Sequence, residues 1–97
     1  MAHVEINTYG NNDEILKTFA TNHIKWGLIC RAVEIEEQMN EGELKGTQSI
    51  KIVNDFIMSV FPEMTQSDIE AADVGDIMNV FKMISHMGGN INTSKNG

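Results

Sequence analysis

Apolar residues recur at helical spacing over three stretches of the chain. Between Trp26 and Met39, Leu28, Ala32, Ile35 and Met39 fall three or four residues apart, with Ile29 and Val33 beside them. Glu34, Glu36, Glu37 and Gln38 take other faces, as on an amphipathic helix. Two glycines, Gly42 and Gly46, then mark a connection. A second helix is predicted from Thr47, as N-cap, to Phe61, on the stripe Ile50, Val53, Ile57 and Val60. Pro62 stops it, because proline disfavours helical geometry in the residue before it.

Two capped helices follow. Thr65 with Asp68 three residues on is close to a capping box and opens a short helix to Ala72. Asp73 caps the next helix, with Asp76 in its first turn, where negative charge suits the helix dipole. That helix carries Ile77, Val80, Phe81, Ile84 and Met87 and is expected to end at Gly88-Gly89. Residues 88–97, rich in Gly and Asn, read as a flexible tail, and residues 1–87 as one helical domain.

The first twenty residues are less regular. Val4 and Ile6 alternate with His3, Glu5 and Asn7, as in a short strand, before the turn signal Gly10-Asn11-Asn12. Asp13 could cap a helix over 13–20 carrying Ile15, Leu16 and Phe19, while Thr18 to Thr21 also suits an extended chain; the helix is the preferred reading. The expected fold class is therefore mainly all-α, a bundle of about four to five helices with a short N-terminal strand.

Charge narrows the partners. Against 7 basic residues stand 14 acidic ones, for a net charge of -7. Such a surface repels phosphate and disfavours nucleic acid and anionic membrane as partners. No apolar run reaches the length of a membrane span, and the N-terminus lacks the basic and apolar regions of a signal peptide. The single cysteine, Cys30, in an apolar run, reads as a small core residue.

Candidate chemistry is sparse. His3, His23 and His86 lie far apart, and no metal-ligand spacing joins them to Cys30. Asp68, Asp73 and Asp76 do not follow the ligand order of a calcium loop and already serve as helix-start residues. No nucleophile elbow or phosphate-cradling glycine loop is present, so neither an enzyme nor a bound cofactor is expected.

Methionine is the unusual feature. Of the seven, Met58, Met78, Met83 and Met87 fall in the two most apolar helices. Met83 and Met87 are four apart and share a face. Such residues fill gaps in a small core equally well, or widen an apolar surface into an adaptable binding face. Trp26 and Phe61 read as core anchors first and interface anchors second.

The phrase Phe61-Pro62-Glu63-Met64-Thr65, Asp68-Ile69, Ala72-Asp73-Val74-Gly75-Asp76-Ile77-Met78, Val80-Phe81 and Ile84 resembles the C-terminal half of tail assembly chaperones from long-tailed bacteriophages of Gram-positive hosts. Ile24 to Met39 is similar to that family's first half. The resemblance implies a small helical protein that binds the phage tape-measure protein and keeps it soluble while the tail tube polymerises. It further implies a homo-oligomer in the host cytoplasm, absent from the mature virion. No residue-level binding motif is transferred with it. The competing expectation, from the acidic surface, is a regulatory adaptor or anti-repressor that binds a host or phage protein.

Overall fold

The computed structural model describes residues 3–96, with side chains over residues 3–88. The chain is α+β: an antiparallel hairpin, β1 (Val4–Tyr9) and β2 (Ile15–Thr21), precedes four helices, α1 (Trp26–Asn40), α2 (Gly46–Val60), α3 (Gln66–Ala71) and α4 (Val74–Asn96). This corrects the all-α expectation. Residues 15–21 form a strand where a helix over 13–20 was preferred.

The physical reason lies in length and partnership. A helix of one or two turns is not stable alone, whereas Ile15–Thr21 has a complete partner in β1, with Val4 opposite Thr21 and Ile6 opposite Phe19. Thr18, Phe19 and Thr21 also favour a pleated chain. Asp13 caps no helix. It sits at φ 64° just after a turn closed by its own N–H to the Gly10 carbonyl at 3.1 Å. Aspartate is among the few non-glycine residues that tolerate this left-handed geometry.

Strand β1 is the buried one. Val4, Ile6 and Thr8 alternate inward and lie against α3 and α4. The Asn7 N–H donates to the Asp76 carboxylate at 3.2 Å, and Thr8 bridges Ala72. Strand β2 is exposed along most of its length, with only Phe19 and Thr21 half-buried.

The helices close over β1. Ile35 of α1, Phe56 and Ile57 of α2, and Val80, Phe81 and Ile84 of α4 form the core with Val4 and Ile6. Phe56 and Phe81 meet edge to face, centroids 5.7 Å apart. Lys45 rather than Thr47 precedes the first turn of α2, and Phe61 ends it before Pro62. The Thr65–Asp68 capping box forms in full: the Asp68 N–H donates to the Thr65 hydroxyl, and the Thr65 N–H donates to the Asp68 carboxylate at 2.9 Å. The Asp73 carboxylate accepts the Asp76 N–H at 3.2 Å.

α4 does not end at Gly88-Gly89 but continues to Asn96. Gly88 is a packing residue, not a stop. A Cβ placed there would come within 2.3 Å of a Val33 methyl and 3.3 Å of an Ile29 methyl on α1. One turn earlier, the Ser85 hydroxyl donates to the Glu36 carboxylate at 3.1 Å. α1 and α4 therefore run in opposite directions, and the missing side chain lets them approach.

Candidate protein-binding surface

An apolar groove of about 440 Å³ opens where the end of α1, the first half of α2 and the start of α4 converge. Met39 of α1, Ile50 and Val53 of α2, and Val74, Ile77 and Met78 of α4 line it. Ser49, Asn54 and Ala72 complete the lining, so no charged side chain enters it.

The lining follows from local sequence. Ile50 lies on the apolar stripe of α2 about one turn before that stripe enters the core at Val53, Phe56 and Ile57. Val74 is the first residue of α4, released by the Asp73 cap, and Met78 lies one turn on. The core leaves three of these side chains uncovered. Ile50 stays 62% exposed, Val74 74% and Met78 38%. Contiguous exposed apolar side chains of this kind mark interaction surfaces. A mainly apolar lining with one or two polar groups is the usual composition of a binding cleft.

The six side chains expected to bind a partner do not share one surface. Met78 lies in the groove. Met83 is exposed, but five residues from Met78 turn it about 140° around the helix at 100° per residue. Met58 is half-buried against the core, and Met87 is half-buried on α4. Trp26 is exposed at the first position of α1. Phe61 is a core residue, 4% exposed, its ring 6.4 Å from that of Phe19.

Ile50 and Val74 were not singled out in the sequence, because Ile50 reads as the first residue of a core stripe and Val74 as part of a cap. The available signal was position. Apolar residues near the start of a helix extend past the core that the middle of the helix covers.

Polar groups elsewhere serve the fold. The Asp68 carboxyl is held below the usual aspartate range, first by the Thr65 N–H and then by the Lys17 ammonium at 3.0 Å. The acidic residues expected as helix starts thus occupy internal roles at Asp68, Asp73 and Asp76. Cys30 is exposed on α1, not a core residue. Among the described residues, no three His, Cys, Asp or Glu side chains converge as metal ligands, and no helix is long and apolar enough to cross a membrane. Compared with protein-family models, curated proteins and solved structures, the chain matches none.

Proposed function

We propose that this protein is a phage tail assembly chaperone that holds an apolar helical segment of the tape-measure protein in the groove between α1, α2 and α4. The observation that carries this reading is the groove itself, with Ile50, Val74 and Met78 left exposed around an uncharged cleft. A helix laid into such a cleft would bury apolar residues at three- and four-residue spacing. Met39 and Met78 in its lining adapt to varied side chains. The net charge of -7 opposes aggregation of a protein with an exposed apolar surface.

The segments that resemble the chaperone family, Ile24 to Met39 and Phe61 to Ile84, build α1, α3 and the first half of α4. Both lie outside the hairpin that departs from the all-helical expectation. In this reading the protein acts in the host cytoplasm and is absent from the mature virion.

The test is co-expression with the tape-measure protein of the same phage, followed by separation of soluble and insoluble fractions. The parent chain is expected to bring the tape-measure protein into the soluble fraction. Ile50→Asp with Val74→Asp is expected to fold normally, both positions being exposed, and to leave the tape-measure protein insoluble. A parent chain without effect, or a double variant as effective as the parent, overturns the reading.

A further inference from the structure

The outer edge of β2 carries unused backbone groups. In an antiparallel ladder, residue pairs that exchange backbone hydrogen bonds alternate with pairs that do not. The Asn7 N–H leaves the hairpin for Asp76, so Asn7 and Thr18 face each other without exchanging bonds. By alternation, Thr18 and Ala20 turn their N–H and C=O groups away from β1. Among the described residues, no backbone group outside the hairpin takes them up. Such an edge is a template for another strand. A groove of about 600 Å³ lies beside it, lined by Lys17 to Thr21 of β2 and by Val60 to Glu63, where α2 ends. Phe19 and Phe61, ring centroids 6.4 Å apart, supply apolar surface.

The polar character of the groove is anionic. Lys17 and Glu63 are the charged residues in its lining. The Lys17 ammonium is already held by Asp68 at 3.0 Å, whereas Glu63 takes part in no ion pair among the described residues. The groove also meets α2 at the negative pole of its dipole. No basic residue stands in the last turn of that helix, and Pro62 has no N–H to give to the Met58 carbonyl. Of the last four carbonyls of α2, only that of Ile57 accepts a backbone bond, from the Phe61 N–H.

We propose that this edge and groove receive an extended segment of another protein, one that carries an apolar and a basic side chain two residues apart. The segment adds a third strand to the hairpin by exchanging backbone bonds with Thr18 and Ala20. Side chains two apart in a strand share a face. The apolar one packs on Phe19 and Phe61, and the basic one brings its cation to Glu63 and the open carbonyls of α2. In this mode of recognition main-chain bonds give affinity and alternate side chains give specificity. The net charge of -7 draws a basic partner and repels a second copy of this chain. The site shares no residue with the groove assigned to the client helix, so it stands apart from that reading.

Titration of the intact, isotope-labelled chain with short synthetic peptides tests the proposal. The peptides have the form Ser-Thr-X-Thr-Z-Thr-Ser, capped at both ends. One variable position holds Val, Phe or Tyr and the other Lys, Arg, Gln or Glu, in both orders. Lys and Arg peptides are expected to shift the Thr18 and Ala20 amide signals and to bind about threefold to tenfold tighter than their Glu counterparts. Glu63→Lys, at an exposed position, should keep the fold and reverse that preference. Ala20→Pro removes an N–H that β1 does not use, and proline is tolerated on an edge strand facing solvent. It should keep the parent's circular dichroism and weaken every peptide about twofold to tenfold. Should it fail to fold, the amide shifts and the Glu63→Lys reversal decide. A set in which no peptide binds below about 1 mM, about -4 kcal/mol, overturns the proposal. So does binding that leaves the Thr18 and Ala20 amides unmoved, that a folded Ala20→Pro chain retains in full, or that shows the same charge preference in Glu63→Lys. Protection of those two amides without peptide, rising with protein concentration, would give the edge to a second copy and overturn it as well.

Discussion

The backbone N–H of Asn7 donates to the carboxylate of Asp76 at 3.2 Å, across 69 residues of sequence. This contact ties the edge of the hairpin to the first turn of α4, and with the Thr8–Ala72 bridge it closes the inner side of the sheet. A strand edge left open there would face the protein interior with unmet hydrogen bonds, which is costly.

Replacing Asp76 with Ala should therefore destabilise the fold by about 1–2 kcal/mol, the cost of a partly buried N–H without its acceptor. Asp76→Asn keeps an acceptor oxygen and should lose less. Chemical denaturation gives the stability, and amide exchange should show faster exchange at Asn7 in the Ala variant.

Gly88 permits the close approach of α1 and α4. Gly88→Ala gains about 1 kcal/mol of helix propensity but forces a methyl group against Val33, an overpacking cost of about 1–3 kcal/mol. A net loss of about 1 kcal/mol is expected in urea denaturation. Val33→Ala in the same chain should remove the clash, so the two changes should be non-additive. A Gly88→Ala chain more stable than the parent would show that the helices can move apart freely.

Phe56 and Phe81 are both buried and meet edge to face. Each single change to Ala should cost about 3–5 kcal/mol, a large share of the stability of a domain this size. The double variant should show a coupling of about 0.5–1.5 kcal/mol between the rings. Thermal melts like those of the parent would place the core elsewhere.

The Asp68 carboxyl titrates below the usual aspartate range because the charged form is held by the Thr65 N–H and the Lys17 ammonium. A depressed folded-state value makes the charged form a stabilising group. That contribution is complete above about pH 4, where the unfolded chain's aspartate is also ionised, and is lost as pH falls through the folded value. The melting temperature of the parent should drop through this acid window. Asp68→Asn should melt lower than the parent at pH 7 and approach it near about pH 2. A constant difference across that range would mean that charge at Asp68 contributes nothing.

Much of the helical half is legible in the sequence. The stripe Leu28, Ala32, Ile35 and Met39 gives α1, Pro62 gives the end of α2, and the Thr65–Asp68 pair gives the start of α3. These signals are local, since each depends on residues within one or two turns. The hairpin was half legible: alternation at Val4 and Ile6 shows β1, but Ile15, Leu16 and Phe19 fit helical spacing as well as a strand. Only the partner strand decides between the two.

An exposed apolar face was legible in type but not in position. An excess of methionine and apolar stripes wider than a small core needs pointed to an exposed apolar face. Met78 does line the groove, yet Met58, Met83 and Met87 do not, and Ile50 and Val74 do. Which side chains remain uncovered depends on where neighbouring helices stop, and no single helix encodes that.

The sequence by itself determined the net charge, the periodicity of three helices and the caps that begin α3 and α4, because these follow from residue chemistry over a few positions. The tertiary structure decided three further things. It made residues 15–21 a strand by giving them β1, and it packed Gly88 of the continuing α4 against Val33 and Ile29 of α1, where a side chain would clash. It also left Ile50, Val74 and Met78 around an open groove. Each of the three rests on a contact between segments distant in sequence, whose energy exists only once the chain has folded.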